Sequence, residues 1–303
     1  MIVEQDNLIE VPGGTIWSQI IFAQDCQTRM PLIVLHGGPG SVHNSLKYAL
    51  RSLAKYFPII VYDQLGGGNS KLNNLDKVAN SLWQVTRFVE ELQCLIDFYK
   101  LNSFNLFGTS WGASLALEYY FTRSNNKIKH LILSSPLIST KMWINDIQHL
   151  KSKLPDHIQN ALNLGELTKQ TNTKEYKDAE AFFENKHLLC KDVLNGEQLR
   201  VLDEELGKFN LDAYEYMWGI NEFYPSGTLM NFDRFNDLKR IQVPVLFTCG
   251  EFDEVRAETL ELFNNEVPDS QIFVFKNCHH KPAFEKPQEY CRIVKQFLDK
   301  QIS

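Results

Sequence analysis

Short apolar runs and longer stretches of helical periodicity alternate along the first 136 residues. Positions 15–22 (TIWSQIIF) follow the Pro12-Gly13-Gly14 turn and read as an early strand. Residues 31–35 (PLIVL) are apolar without a break, the pattern of a strand buried on both faces of a sheet. Residues 59–62, 104–107 and 128–133 read as further strands. Between them Leu82, Val85, Val89, Leu92, Ile96 and Tyr99 recur at spacings of three and four, which predicts an amphipathic helix packed on the sheet. Strands that alternate with helices imply a parallel sheet covered on both sides. After Ser135-Pro136 the pattern changes. From 137 to 238 there is no strong strand, glycines are few, and helical stretches are clearest at 144–154, 175–189 and 197–218. Strands return at 243–249 and 271–275, and an amphipathic helix carrying Tyr290, Ile293, Val294, Phe297 and Leu298 closes the chain. The expected architecture is an α/β core of residues 1–136 and 239–303, with residues 137–238 inserted as a helical cap.

The stretch 104–117, FNLFGTSWGASLAL, is a strand, a tight turn and a helix with Ser110 at the apex. Gly108 and Gly112 suit a turn so sharp that a Cβ would strike the neighbouring strand or helix. The turn exposes the Ser110 hydroxyl and aims the N–H of Trp111, at the helix start, toward whatever that hydroxyl attacks. G-x-S-x-G alone occurs by chance; between this strand and this helix it marks a nucleophile. His36-Gly37-Gly38-Pro39-Gly40 runs directly out of the 31–35 strand, where a second oxyanion donor is needed, and the N–H of Gly38 is assigned to it. His36 is expected to orient this loop. Asp63, ahead of Gly66-Gly67-Gly68, is read as the tie of a glycine-rich loop. No G-K-[ST] follows, so the loop does not carry a phosphate-binding signature.

A serine after one strand, an acid after a later one and a histidine after the last reproduce the chain order of the α/β-hydrolase fold. Serine needs a base within hydrogen-bond reach, and an acid to orient and stabilise the imidazole. Spacing leaves Glu251, Asp253 and Glu254 open for the acid, and His279 and His280 for the base. Near the end of the cap, Tyr214, Tyr216, Trp218, Phe223 and Tyr224 surround Glu222, and a carboxylate among aromatics needs a partner.

Composition narrows the function class. The 303 residues are 44% hydrophobic and carry a net charge of −6, which suits one large core. No basic run is interleaved with aromatics, so nucleic acid is not an expected partner. No apolar run has the length of a membrane span. The N-terminus has acids where a signal peptide needs positive charge. The six cysteines are scattered without a C-x-x-C pair and read as reduced thiols of a cytoplasmic protein. No metal or organic cofactor is implied.

His36-Gly37-Gly38-Pro39-Gly40, residues 63–70 (DQLGGGNS), residues 108–117, residues 250–254 (GEFDE) and residues 280–287 (HKPAFEKP) together resemble the proline iminopeptidase family of α/β hydrolases. The HGGPG and DQxGxGxS pair is specific to that family and its close amidase relatives. The resemblance implies that Asp253 is the acid of the triad and His280 the base. It implies a serine aminopeptidase that releases an N-terminal residue, preferentially proline, from short peptides or aminoacyl compounds, through an acyl-enzyme on Ser110. It further implies that Glu222 and Glu254 receive the substrate ammonium, with the cap residue Tyr214 nearby. The sequence departs from the family at Asp253-Glu254-Val255-Arg256-Ala257, where relatives often have a Thr-Pro step; Arg256 is placed at the pocket mouth. The cap resembles the family only near its end. An esterase, lactonase or amino-acid amidase would keep the same triad.

Overall fold

The computed structural model describes residues 1–73, 82–123 and 125–300. Its strands are β1 (Ile2–Val11), β2 (Gly14–Ala23), β3 (Leu32–Leu35), β4 (Ile59–Tyr62), β5 (Lys71–Leu72), β6 (Phe104–Thr109), β7 (Ile128–Ser134), β8 (Val245–Gly250) and β9 (Ser270–Phe275). They form one sheet in the order β1-β2-β4-β3-β6-β7-β8-β9, with β5 beside β2. The pairs from β4 to β9 are parallel, whereas β1–β2 and β2–β4 are antiparallel. The mostly parallel sheet expected from the alternation is therefore present.

Continuous apolar strands are buried on both faces because successive side chains point to opposite sides. Ile33, Ile60, Leu106 and Leu131 pack with α2 (Val85–Phe98) and α3 (Trp111–Thr122). Their strand neighbours Val34, Val61, Phe107 and Ile132 pack with α1 (Asn44–Leu50) and with the last helix, α11 (Pro287–Asp299). Register brings the strand ends level. Leu35 lies opposite Gly108, Thr109 opposite Ser134, and Gly250 opposite Phe275. Every loop singled out for chemistry leaves this one edge, the carboxyl edge at which open α/β sheets bind ligands.

Five α-helices lie between β7 and β8: α4 (Thr140–Lys151), α5 (Asp156–Thr168), α6 (Lys174–His187), α7 (Gly196–Leu206) and α8 (Leu211–Met217). The periodicity predicts one helix over 197–218; the structure has two. The break at 207–210 carries the C-cap Gly207 and is tied down by tertiary hydrogen bonds. The carbonyl of Lys208 accepts from the N–H of Gly68 at 3.2 Å, and the N–H of Asn210 donates to the carbonyl of Gly40 at 2.8 Å. The Asn210 side chain then caps α8. Strand β1, which the reading of apolar runs misses, is an edge strand with mostly half-buried or exposed positions, and it lies outside any continuous apolar run. The remaining helices, α9 (Ala257–Glu266) and the short α10 (Pro282–Glu285), flank the loops that follow β8 and β9.

Candidate active site

The turn between β6 and α3 is as tight as its glycines suggest. A Cβ at Gly108 would run into the carbonyl of Gly112, and a Cβ at Gly112 into the carbonyls of Leu35 and His36. Ser110 sits at φ 54°, ψ −122°. Such a conformation costs a non-glycine residue about 1–3 kcal/mol, and the surroundings hold it in place. The Ser110 N–H donates to the carbonyl of Ser134, while its own carbonyl accepts from Ala113 and Leu137. Trp111 opens α3 and so carries one of the N–H groups that a helix start leaves without an intrahelical acceptor. Its indole is buried and donates to Gln64 Oε1 at 3.0 Å.

His36 ties two loops together. Its Nε2 accepts the N–H of Gln64 at 3.1 Å and its Nδ1 faces the carbonyl of Gly37 at 3.0 Å. This pattern requires the neutral ring, and burial lowers its pKa. Gly38 lines the cavity at φ 28°, with Phe209 and Tyr214 as its nearest side-chain neighbours. Asp63 holds the loop that follows β4. Its carboxylate accepts from the N–H groups of His43 and Asn69, both at 2.9 Å, and pairs with the His43 ring at 2.7 Å. Burial pushes its pKa up, but these donors outweigh it and hold the pKa below the usual value.

Among the three acids and two histidines left open by spacing, the geometry pairs Asp253 with His280, Oδ1 to Nδ1 at 2.7 Å. His279 instead faces Glu285 at 2.8 Å, and Glu251 binds Lys276 and the N–H of Asn277 at the surface. Asp253 is fixed by the N–H groups of Gly250 and Val255 and by the hydroxyl of Ser135, at 2.6 Å from Oδ2. Ser135 lies at φ 45° just past β7, and nothing in the sequence pattern marks it for this role. The N–H of His280 donates to the carbonyls of His187 and Leu188 at the end of α6. Trp143 stands edge-on to the His280 ring at 5.4 Å.

Ser110, His280, Gly38, Tyr214, Glu222 and Glu254 all line one cavity of about 380 Å³; Asp253 sits behind His280. Glu222 accepts a short hydrogen bond from the Tyr214 hydroxyl. Burial raises the Glu222 pKa, against the pull of that bond and of His280. Glu254 is 1% exposed, and neither of its carboxylate oxygens has a hydrogen-bond partner among the described residues. Burial, then the charges of Glu222, Asp253 and Glu184, push its pKa well above the carboxylate range. Glu184 also lines the cavity, and burial with Glu180 and Glu222 nearby raises its pKa to about 7. Sequence reading missed Glu180 and Glu184, although like charges at i and i+4 on one helix face are unfavourable and mark them out. Arg256 is not among the residues lining the cavity; its two guanidinium nitrogens face Asp146 at 3.8 Å and Glu258 at 3.2 Å.

The arrangement places in one cavity a hydroxyl on a strained turn, an imidazole backed by a buried carboxylate, and the unpartnered carboxyl of Glu254 with Glu222 and Glu184. Such a set suits attack on a carbonyl compound that also carries a cation. Among the described residues no helix is long and apolar enough to cross a membrane. The alpha/beta hydrolase fold family model matches residues 30–287. The chain is 37% identical to the proline iminopeptidase of Heyndrickxia coagulans, covering 97% of this chain and 98% of that one. It is 32% identical to the proline iminopeptidase of Thermoplasma volcanium, over 98% of each. The crystal structure of proline iminopeptidase from Mycobacterium smegmatis superposes with a TM-score of 0.87 at 27% identity, over 98% of both chains. On fold, motifs and relatives together, the chain belongs to the proline iminopeptidase family of α/β hydrolases.

Proposed function

We propose that the protein is a serine aminopeptidase that releases an N-terminal residue, preferentially proline, from short peptides. The Ser110 hydroxyl attacks the first peptide carbonyl. Its proton passes to Nε2 of His280, because Nδ1 faces Asp253. The Asp253 charge stabilises the imidazolium, and Ser135 with the N–H groups of Gly250 and Val255 keeps that carboxylate in place. The carbonyl oxygen, now an oxyanion, is received by the N–H groups of Gly38 and Trp111; a donor of this kind is worth about 3 kcal/mol in the transition state. His280 then gives its proton to the leaving nitrogen, and the shortened peptide departs. Water, deprotonated by His280, hydrolyses the acyl-enzyme and frees the amino acid. Residues 137–238 act as the cap that closes the cavity over the sheet edge.

The observation that carries the aminopeptidase reading is Glu254, buried without a hydrogen-bond partner among the described residues in the cavity that Glu222 also lines. A buried carboxylate without a partner is costly and calls for a cation. The substrate ammonium supplies it, and in doing so fixes the first carbonyl over Ser110. The test is hydrolysis of prolyl- and alanyl-naphthylamides beside a neutral short-chain ester. Ser110→Ala should abolish all three activities. Glu222→Gln and Glu254→Gln should lower kcat/KM on the aminoacyl compounds at least tenfold more than on the ester, the scale expected for a charge-assisted bond of about 1.5–3 kcal/mol. Equal losses on all substrates would defeat amine recognition, and activity on the ester alone would move the protein to the esterases.

A further inference from the structure

The cavity has an apolar wall that the chemistry described so far leaves unused. Val42, just before α1, and Leu46 within it contribute two side chains, and Ala283 and Phe284 of α10 contribute two more. Leu206, the last residue of α7, completes the wall. The three helices α1, α7 and α10 pack on one another: Phe284 shares an apolar cluster with Leu202 of α7 and Tyr48 of α1, and the Gln198 side chain donates to the carbonyl of Phe284. The charges beside this wall are paired. Glu205 accepts the N–H of Ser45 at 2.9 Å and the Lys281 ammonium at 3.0 Å. Burial pushes the Glu205 pKa up, but Lys281 and the Ser45 donors outweigh it and hold it below the usual range. The unpaired carboxyl Glu254 and the Tyr214-bound Glu222 come from other segments, the loop after β8 and the stretch after α8. Leu46 and Phe284 are buried, whereas Leu206 is 53% exposed. A lone exposed leucine is ordinary; one that continues a buried apolar wall into a catalytic cavity offers a contact surface.

Proton transfer decides which part of a peptide meets this wall. The leaving nitrogen has to come within hydrogen-bond reach of His280 to receive its proton. The residue that owns this nitrogen therefore emerges beside His280, where residues 281–284 begin. The ammonium at the other end of the scissile residue is drawn to Glu222 and Glu254. We propose that the wall of Val42, Leu46, Leu206, Ala283 and Phe284 is the subsite for the first residue of the released peptide, that it selects an apolar side chain there, and that Leu206 sets this preference. The inference rests on the aminopeptidase reading of Ser110 and His280.

The experiment is the release of free proline from the dipeptides Pro-Gly, Pro-Leu, Pro-Phe, Pro-Asp and Pro-Lys, with prolyl methyl ester as a substrate too short to reach the wall. In the wild type, kcat/KM for Pro-Leu and Pro-Phe should exceed that for Pro-Gly and for both charged dipeptides by on the order of tenfold, the scale of discrimination by an apolar pocket. Leu206→Asp should raise the ratio of Pro-Lys to Pro-Leu, and Leu206→Lys should raise the ratio of Pro-Asp to Pro-Leu. These ratios do not depend on how much of a variant is folded. A flat wild-type profile overturns the subsite, as does a shift in the same direction for both variants, and with the methyl ester still cleaved either result leaves the aminopeptidase reading standing. Failure to cleave the methyl ester and every dipeptide overturns that reading and this inference with it.

Discussion

Glu254 is the residue on which the electrostatics of the cavity converge. It follows Asp253, so the loop that brings Asp253 to His280 also buries a second carboxyl without a donor. Its Oε2 lies 3.9 Å from Nδ1 of His280, beyond a hydrogen bond. Burial and the charges of Glu222, Asp253 and Glu184 all favour its neutral form. A neutral carboxyl attracts an ammonium weakly, so the amine recognition proposed for Glu254 carries its own pH dependence, separate from that of the proposed base His280. A carboxyl with a raised pKa stays protonated to higher pH, and the attraction grows as pH rises through that pKa. The acidic limb of kcat/KM for prolyl-naphthylamide should therefore lie at higher pH than the limb for a neutral ester. The two are compared as pH–rate profiles over about pH 5 to 9, the range in which such limbs report essential groups. In Glu254→Gln the two limbs should move together; limbs that already coincide in the wild type would show that this carboxyl does not bind the amine.

At the scale of elements, the elbow and the cap show what a local pattern can and cannot reveal. Gly108, Ser110 and Gly112 are legible because the motif itself spans five residues; the Cβ excluded at Gly108 would meet Gly112 within the turn, whereas the one excluded at Gly112 would meet Leu35 and His36 at the end of β3. The break between α7 and α8 is not legible, since Leu206, Phe209, Leu211 and Tyr214 continue an apolar pattern across it. Gly207 and Asn210 cap the two helices locally, and the docking of Lys208 and Asn210 on Gly68 and Gly40, more than a hundred residues away, holds the break in place. Ser135 is hidden for the same reason; its role exists only once β8 has brought Asp253 to it. Two glycine substitutions separate the constrained from the unconstrained case. Gly112→Ala would force a Cβ against the carbonyls of Leu35 and His36, so it should lose the elbow and with it all hydrolysis. Gly196, at the start of α7 behind the Asn195–Gln198 capping box, has nothing within 4 Å of an added Cβ. Gly196→Ala should raise stability by about 0.4–1 kcal/mol, by reducing the freedom of the unfolded chain. Thermal melts and naphthylamide assays of both variants check this, and a folded, active Gly112→Ala would contradict the close packing of the elbow.

For the whole molecule, the alternation of strand and helix made the sheet readable, and the chain order of serine, acid and histidine followed from the strand ends, while the choice of Asp253 among three acids and of His280 over His279 came from the resemblance alone. The electrostatic balance was not readable, because it depends on which charges the fold buries together. Two opposed sets result. Asp63 and Glu205 have lowered pKa values, so their stabilisation is present above the usual carboxylate range and is lost as pH falls through the lowered values. Burial also lowers the pKa values of His36, His130 and His187, which favours the native state increasingly as pH rises toward 6.5. Glu91 and Glu184 are instead raised to about 7, and Glu222 and Glu254 are raised as well, burial coming first in each case. For these four the native state holds protons that the unfolded chain has released, so stability falls as pH rises through the raised values. Above pH 6.5 the histidines no longer oppose them. Below pH 6.5 the two sets oppose each other, and above it the raised carboxyls act alone, so the melting temperature should decline from pH 6.5 toward pH 8, with each kcal/mol moving it by about 2–4 °C. Glu254→Gln removes one of the four charges, so at pH 8 the variant should melt higher than the wild type while it loses amine-bearing substrates, an exchange of stability for function. A variant that melts lower at pH 8 would mean that the ionised carboxylate stabilises the free protein, and a group already satisfied in that way would have no need of a substrate cation.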